Sequence, residues 1–158
     1  MTTFEIILRL VAAVLIGGGV GLNRELHSKS LGLRTLALVG LGACIATIAA
    51  AEFGHEDGAT RVMQGILTGI GFLGAGVIVR RGESAHVKNL TTAASVFFVA
   101  CLGVACAVAP WRLVIVGALL GLAILIWGGP CERYLRARFG MPGDEPQGDL
   151  PTQGPQAE

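Results

Sequence analysis

Sixteen consecutive residues without a charge, QGILTGIGFLGAGVIV from Gln64 to Val79, lie between Arg61 on one side and Arg80 and Arg81 on the other. With its flanks, a helix rising about 1.5 Å per residue over this stretch is long enough for a hydrocarbon core of roughly 30 Å. The run is therefore read as a transmembrane helix, and its five glycines as lying within the membrane. Three of them, Gly69, Gly71 and Gly74, spell the dinucleotide-binding pattern GxGxxG. That pattern has meaning only after a strand, before a soluble helix, and about twenty residues ahead of an acid that meets the ribose. Here the surroundings are apolar throughout, and the next carboxylate, Glu83, comes too early and directly after two arginines.

Helical geometry gives these glycines a packing role instead. At about 100° per residue, Gly65, Gly69 and Gly76 share one face while Gly71 and Gly74 share the opposite one. In lipid, close backbone approach at small residues is a main route to helix association. Two smooth faces thus predict a helix at the centre of a bundle. Gly17 and Gly21 in an earlier apolar run, Gly40 and Gly42 in the next, and Gly117 and Gly121 in the last are also suited to tight contacts.

Charges mark the limits of the other spans. With 53% apolar and 15% charged residues the chain is far from an ordinary soluble domain. Five spans are expected, at about Phe4 to Leu22, Thr35 to Phe53, Val62 to Val79, Leu90 to Ala109 and Leu113 to Gly128. The fourth and fifth meet tightly at Pro110 and Trp111, as separate spans in preference to one re-entrant pair. Residues 1–130 form the membrane domain, which leaves no room for a separate soluble one; residues 131–158 form a juxtamembrane segment and a tail rich in Gly, Pro and acid that is expected to be disordered. MTTFE lacks a basic leader and Arg9 interrupts the first apolar run, so the first span is read as retained. Glu5 and Arg9 can pair at i and i+4, with Arg9 read as snorkelling to the interface.

Arg24, Lys29 and Arg34 collect in the first connection, Arg80, Arg81 and Lys88 in the third, and Arg133, Arg136 and Arg138 after the last span. The second connection is acidic. The positive-inside rule then puts the N-terminus outside and the C-terminus in the cytoplasm. Cys44, Cys101, Cys106 and Cys131 form no paired framework and read as free thiols.

Polar residues fall into three groups. Arg24, Glu25 and Arg34, next to Thr35, are either exposed topogenic charges or a network that clamps two helix ends or binds an anionic group. Glu52, Glu56 and Asp57 form an acidic outer loop, read as solvated and at most a weak magnesium or calcium site. Asp57, Arg61 and Gln64 follow at i, i+4 and i+7 near one face, that of Gly65 and Gly69; Arg61 can pair with Asp57, and Arg61 and Gln64 point into a helix contact. Asn89 or Thr91 can cap the fourth helix, while Thr91, Thr92 and Ser95 supply hydroxyls to its first turns. No nucleophile stands near a base, so no enzyme is expected, and no cofactor.

In this order GLNREL, GLRTLALVGLGA, DGATRVMQGILTGIGFLGAGVIVRRG and NLTTAAS resemble the membrane domain of the MgtC/SapB family over roughly residues 4 to 128. The resemblance implies an all-α integral protein of the bacterial inner membrane with about five transmembrane helices. The family's polar positions carry over as Arg24, Glu25, Arg34, Thr35, Asp57, Arg61, Gln64, Thr91 and Thr92, and its glycines as Gly69, Gly71, Gly74 and Gly76. Asn89 departs from a common glycine, and the soluble C-terminal domain is absent. The resemblance further implies adaptation to low magnesium, virulence in pathogens, and action on partner membrane proteins, the F-type ATP synthase among them. The expected function is a regulatory membrane protein, with a divalent cation transporter or channel as the alternative. Its partners are the lipid bilayer, other membrane proteins and further copies of itself, with no nucleic acid.

Overall fold

The computed structural model describes residues 1–27, 31–52, 56–80 and 87–139. Lys29, His55, Arg81, Glu83, His86 and the tail from Gly140 lie outside the described residues. Five helices follow one another: α1 (Thr3–Leu26), α2 (Leu33–Glu52), α3 (Glu56–Val77), α4 (Leu90–Val108) and α5 (Trp111–Phe139). The chain is an all-α membrane bundle, with a two-residue antiparallel pairing of Val79–Arg80 with Val87–Lys88 between α3 and α4. By length and composition α1, α2, α4 and the Trp111–Glu132 part of α5 can each cross a membrane. Helix α3 is not among these four, because its helical residues begin at Glu56 and include Arg61 and Gln64.

Local chemistry sets the ends. Thr2 caps α1 by accepting from Glu5 N at 3.3 Å. Pro110, which has no N–H to continue α4, instead offers its carbonyl to Leu113 N at 2.9 Å and so starts α5. The two helices are thus separate elements. Helix α5 runs on through Pro130 to Phe139, about three turns beyond the expected end of its span, so the first part of the juxtamembrane segment is helical.

Helix α4 is the hub, with half of its span buried against 11% for α5. Glycine lets its neighbours approach. A Cβ at Gly17 would lie 2.6 Å from Leu36 O, and one at Gly21 would lie 2.6 Å from Leu33 Cα, so the first GxxxG pair seats α1 on α2. Gly40 sits against Ala13 O, at 2.9 Å from the position of a Cβ, and Gly103 of α4 sits against Gly40 O. Helix α5 returns antiparallel along α4: Val114 packs with Cys106 and Ala107, Gly121 with the Phe98 ring, and Leu125 near Val96. Cys44 and Cys106 are buried free thiols in this core.

The expected central position of α3 is corrected. Helix α3 packs mainly on α4 and α2, through Ile70 and through Gly74, which faces Ala93 Cβ at 3.7 Å. Gly65, Gly69, Gly71 and Gly76 have nothing within 4 Å of a Cβ, and Phe72 is 82% exposed. A smooth face permits close approach but yields nothing unless a complementary backbone lies opposite. Within this chain those backbones belong to α1, α2 and α4.

Asn89 also differs from expectation. It precedes α4 with φ 68°, in the left-handed region, and its side chain makes no cap bond to α4. Its amide nitrogen donates instead to Val77 O at the end of α3, at 3.4 Å. Left-handed backbone favours glycine and asparagine, so either residue suits this position. Asn89→Gly is expected to keep the melting temperature within a few degrees of wild type, whereas Asn89→Ala loses about 1 kcal/mol, read by thermal denaturation in detergent.

Candidate functional site

Alternating helix directions bring the C-terminal end of α1, the N-terminal ends of α2 and α4, and the C-terminal end of α3 to one side of the bundle. Arg24, in the last turn of α1, lies there only 6% exposed. Its position suits a cation, because the carbonyls of a helix end carry partial negative charge. The guanidinium reaches across to α4, where Nη2 donates to Thr92 Oγ1. Its Nε is buried and has no hydrogen-bond partner. No carboxylate among the described residues pairs with it.

Glu25 does something different. Its Oε2 accepts from Leu33 N at 3.1 Å, which ties the end of α1 to the first backbone donor of α2. A Cβ on Gly32 would come within 2.9 Å of that same oxygen, so the short connection is shaped around the carboxylate. The helix-end clamp expected of Arg24, Glu25 and Arg34 is thereby divided. Glu25 joins α1 to α2, Arg24 joins α1 to α4, and Arg34 and Thr35 are exposed.

The remaining polar positions are not gathered into this cluster. Asp57 and Arg61 lie at the opposite end of the bundle, both exposed and with no ion pair between them. Gln64 is exposed rather than turned into a helix contact of this chain, and its carbonyl accepts from Thr68 Oγ1 at 2.8 Å. Thr91 is exposed and its carbonyl accepts from Ser95 Oγ at 2.7 Å, while Thr92 is buried beneath Arg24. Of the weak metal candidates, Glu52 and Asp57 are exposed and the Glu56 side chain lies outside the described residues. Among the described residues no three His, Cys, Asp or Glu side chains come together as a metal site.

Arg9 is the position that reading for topology undervalued. Instead of snorkelling, its side chain is 11% exposed and pairs with Glu5 Oε1 at 2.9 Å. Nη1 donates to Cys106 O at 2.7 Å and Ala107 O at 3.0 Å, carbonyls in the last turn of α4, and the guanidinium lies 5.5 Å from the centroid of the Trp111 ring. A cation at a helix C-terminus is favourable, so this end of the bundle is closed by a fully engaged arginine. The pairing with Glu5 was visible as i, i+4 spacing; the acceptors, 97 and 98 residues away, were not.

A family model described as the MgtC family matches residues 10–134. Protein SrpB of Synechococcus elongatus is 33% identical over 129 residues, which cover 74% of this chain and 71% of SrpB. Protein MgtC of Salmonella typhimurium is 39% identical over 112 residues, 71% of this chain and 47% of that protein. An Escherichia coli protein named "Putative magnesium transporter YhiD" is 32% identical over 132 residues, 78% of this chain and 60% of YhiD. The chain thus spans about half the length of MgtC. No solved structure matches it.

Proposed function

Since the chain belongs to the MgtC family of multi-pass membrane proteins, we propose that it is a regulatory protein of the bacterial inner membrane, acting on other membrane proteins when magnesium is scarce. The observation that carries this reading is the unused face of α3. Gly65, Gly69 and Gly76 have open space before them, next to the exposed amide of Gln64. An amide facing hydrocarbon is stabilised by a partner, and small residues beside it let a foreign helix approach closely enough to supply one. In this reading the basic end with Arg24 and Arg34 is cytoplasmic.

The interior argues against an ion pathway. The buried polar side chains among the described residues are Arg24, Thr47, Thr92 and Ser95, with no carboxylate. A transporter of divalent cations keeps acidic or amide ligands near the midplane, and a buried arginine repels such ions. The name of the relative YhiD favours the transport reading, which makes a distinct prediction.

Replacing both Gly65 and Gly69 by leucine is expected to leave the melting temperature within a few degrees of wild type, because both positions are open. The same variant loses the defined crosslinks that the wild type forms to membrane proteins in cells grown at low magnesium. In proteoliposomes, wild type moves magnesium no faster than empty vesicles. Magnesium flux above that background, abolished by Gln64→Ala, would overturn the regulatory reading in favour of a carrier.

A further inference from the structure

Among the described residues, Nε of Arg24 is the one buried side-chain polar atom without a hydrogen-bond partner. One nitrogen holds Thr92 Oγ1, Nε is buried without a partner, and the adjacent carboxylate, Glu25, is turned to Leu33 N. A buried cation short of acceptors is unstable unless an anion completes it. The first turn of α4 lies at the same place, and Asn89 leaves it without a side-chain cap. Helix N-termini attract anions through their unpaired N–H groups and their partial positive charge. Arg24 and α4 therefore point to the same kind of ligand, an oxyanion.

A second feature says which one. Between α1 and α5 runs a groove of about 160 Å³, lined by Leu15, Gly19 and Val20 on one side and Ala118, Leu119 and Leu122 on the other. Its walls are apolar. Val20, which lines the groove, and Arg24 are at i and i+4 on α1, so they stand one helical turn apart on the same face of that helix. A free phosphate would use the arginine and leave the groove unfilled. A phospholipid fills both, with its phosphate at the helix ends and an acyl chain along α1 and α5. Arg34, exposed at the same end, adds positive charge that favours a headgroup with no ammonium of its own.

We propose that Arg24, the first turn of α4 and the groove between α1 and α5 form one site for an anionic phospholipid. The phosphodiester oxygens accept from the guanidinium, as arginine and phosphate do wherever two parallel donors meet two acceptors. The site uses groups distinct from the open face of α3, so it stands or falls apart from the regulatory reading.

The test uses the full chain, purified in detergent and stripped of lipid. It is incubated with phosphatidylglycerol, with phosphatidylcholine of the same chains, or with inorganic phosphate. Retained lipid is counted by native mass spectrometry, and the melting temperature is recorded. One phosphatidylglycerol should remain bound, at least about tenfold more tightly than phosphatidylcholine. Arg24→Gln should weaken it by about tenfold or more and Arg24→Lys by less, since lysine keeps charge but not the planar fork. Because Arg24→Gln also removes a helix-to-helix bond, Gly19→Phe serves as the second variant. A Cβ at Gly19 meets nothing within 4 Å, so the ring can occupy the groove while the bundle keeps its fold and Arg24 its place. Gly19→Phe should melt as wild type does and retain no phosphatidylglycerol. Equal retention of the two lipids, phosphatidylglycerol binding unaltered in Gly19→Phe, or inorganic phosphate raising the melting temperature as much as the lipid would each overturn the proposal.

Discussion

Gly103→Leu is expected to prevent α2 and α4 from packing, with a loss of at least ~3 kcal/mol and little folded protein recovered. A Cβ at residue 103 would collide with Gly40 O and lie 3.0 Å from Ala43 Cβ. The obstacle is backbone, so no rotamer change relieves it. Gly40 cannot retreat either, because a Cβ there would already sit 2.9 Å from Ala13 O and 3.3 Å from Val99 Cγ1. Three helices meet across these two glycines. Fluorescence-detected size exclusion and melting in detergent measure the effect, with Gly69→Leu as the matched control on an open face. A Gly103→Leu protein that elutes and melts like wild type would show that α2 and α4 are not in this contact.

The second large effect is at Arg9. Arg9→Leu removes the ion pair with Glu5, two charge-assisted bonds to carbonyls of α4, and the contact with the Trp111 ring. Because the arginine is largely buried and its acceptors lose their donors with it, the expected cost is about 3 kcal/mol. Arg9→Lys should recover part of this through Glu5, as a single ammonium cannot serve the carboxylate and both carbonyls with the same geometry. Trp111→Leu should cost much less through the ring contact itself, about 1 kcal/mol, and a double-mutant cycle between Arg9 and Trp111 isolates that share. If Arg9→Leu and wild type melt together, the side chain is at the interface after all.

The helices themselves were legible, since apolar runs bounded by charge have few alternatives in a bilayer. Pro110 marked the break between α4 and α5 because a missing N–H is a local property. GxxxG in α1 was correctly read as a contact surface, yet the same reading failed for α3. Small residues state that a helix can be approached, and the approaching backbone is named elsewhere in the chain. Arg24 and Arg9 show the same limit. Their charges were read from the sequence, but their partners Thr92, Cys106 and Ala107 lie 68 to 98 residues away, and only the fold decides which arginine is satisfied. Asn89 stands at the N-cap position of α4 as the sequence suggests, but its left-handed backbone turns the amide away from α4 towards Val77 O of α3.

Both of these arginines are on α1, and their long-range hydrogen-bond acceptors belong to α4, which is synthesised later. Chains emerge N-terminus first, so α1 and α2 can join through Gly17 and Gly21 while neither arginine has reached its acceptors on α4. Until then Arg9 has Glu5 and Arg24 has only its own helix end. The arrival of α4 supplies the acceptors of both arginines in a single step. A ribosome stalled before residue 90 would therefore hold α1 and α2 already joined at Gly17, Gly21 and Glu25, with both arginines still short of their acceptors.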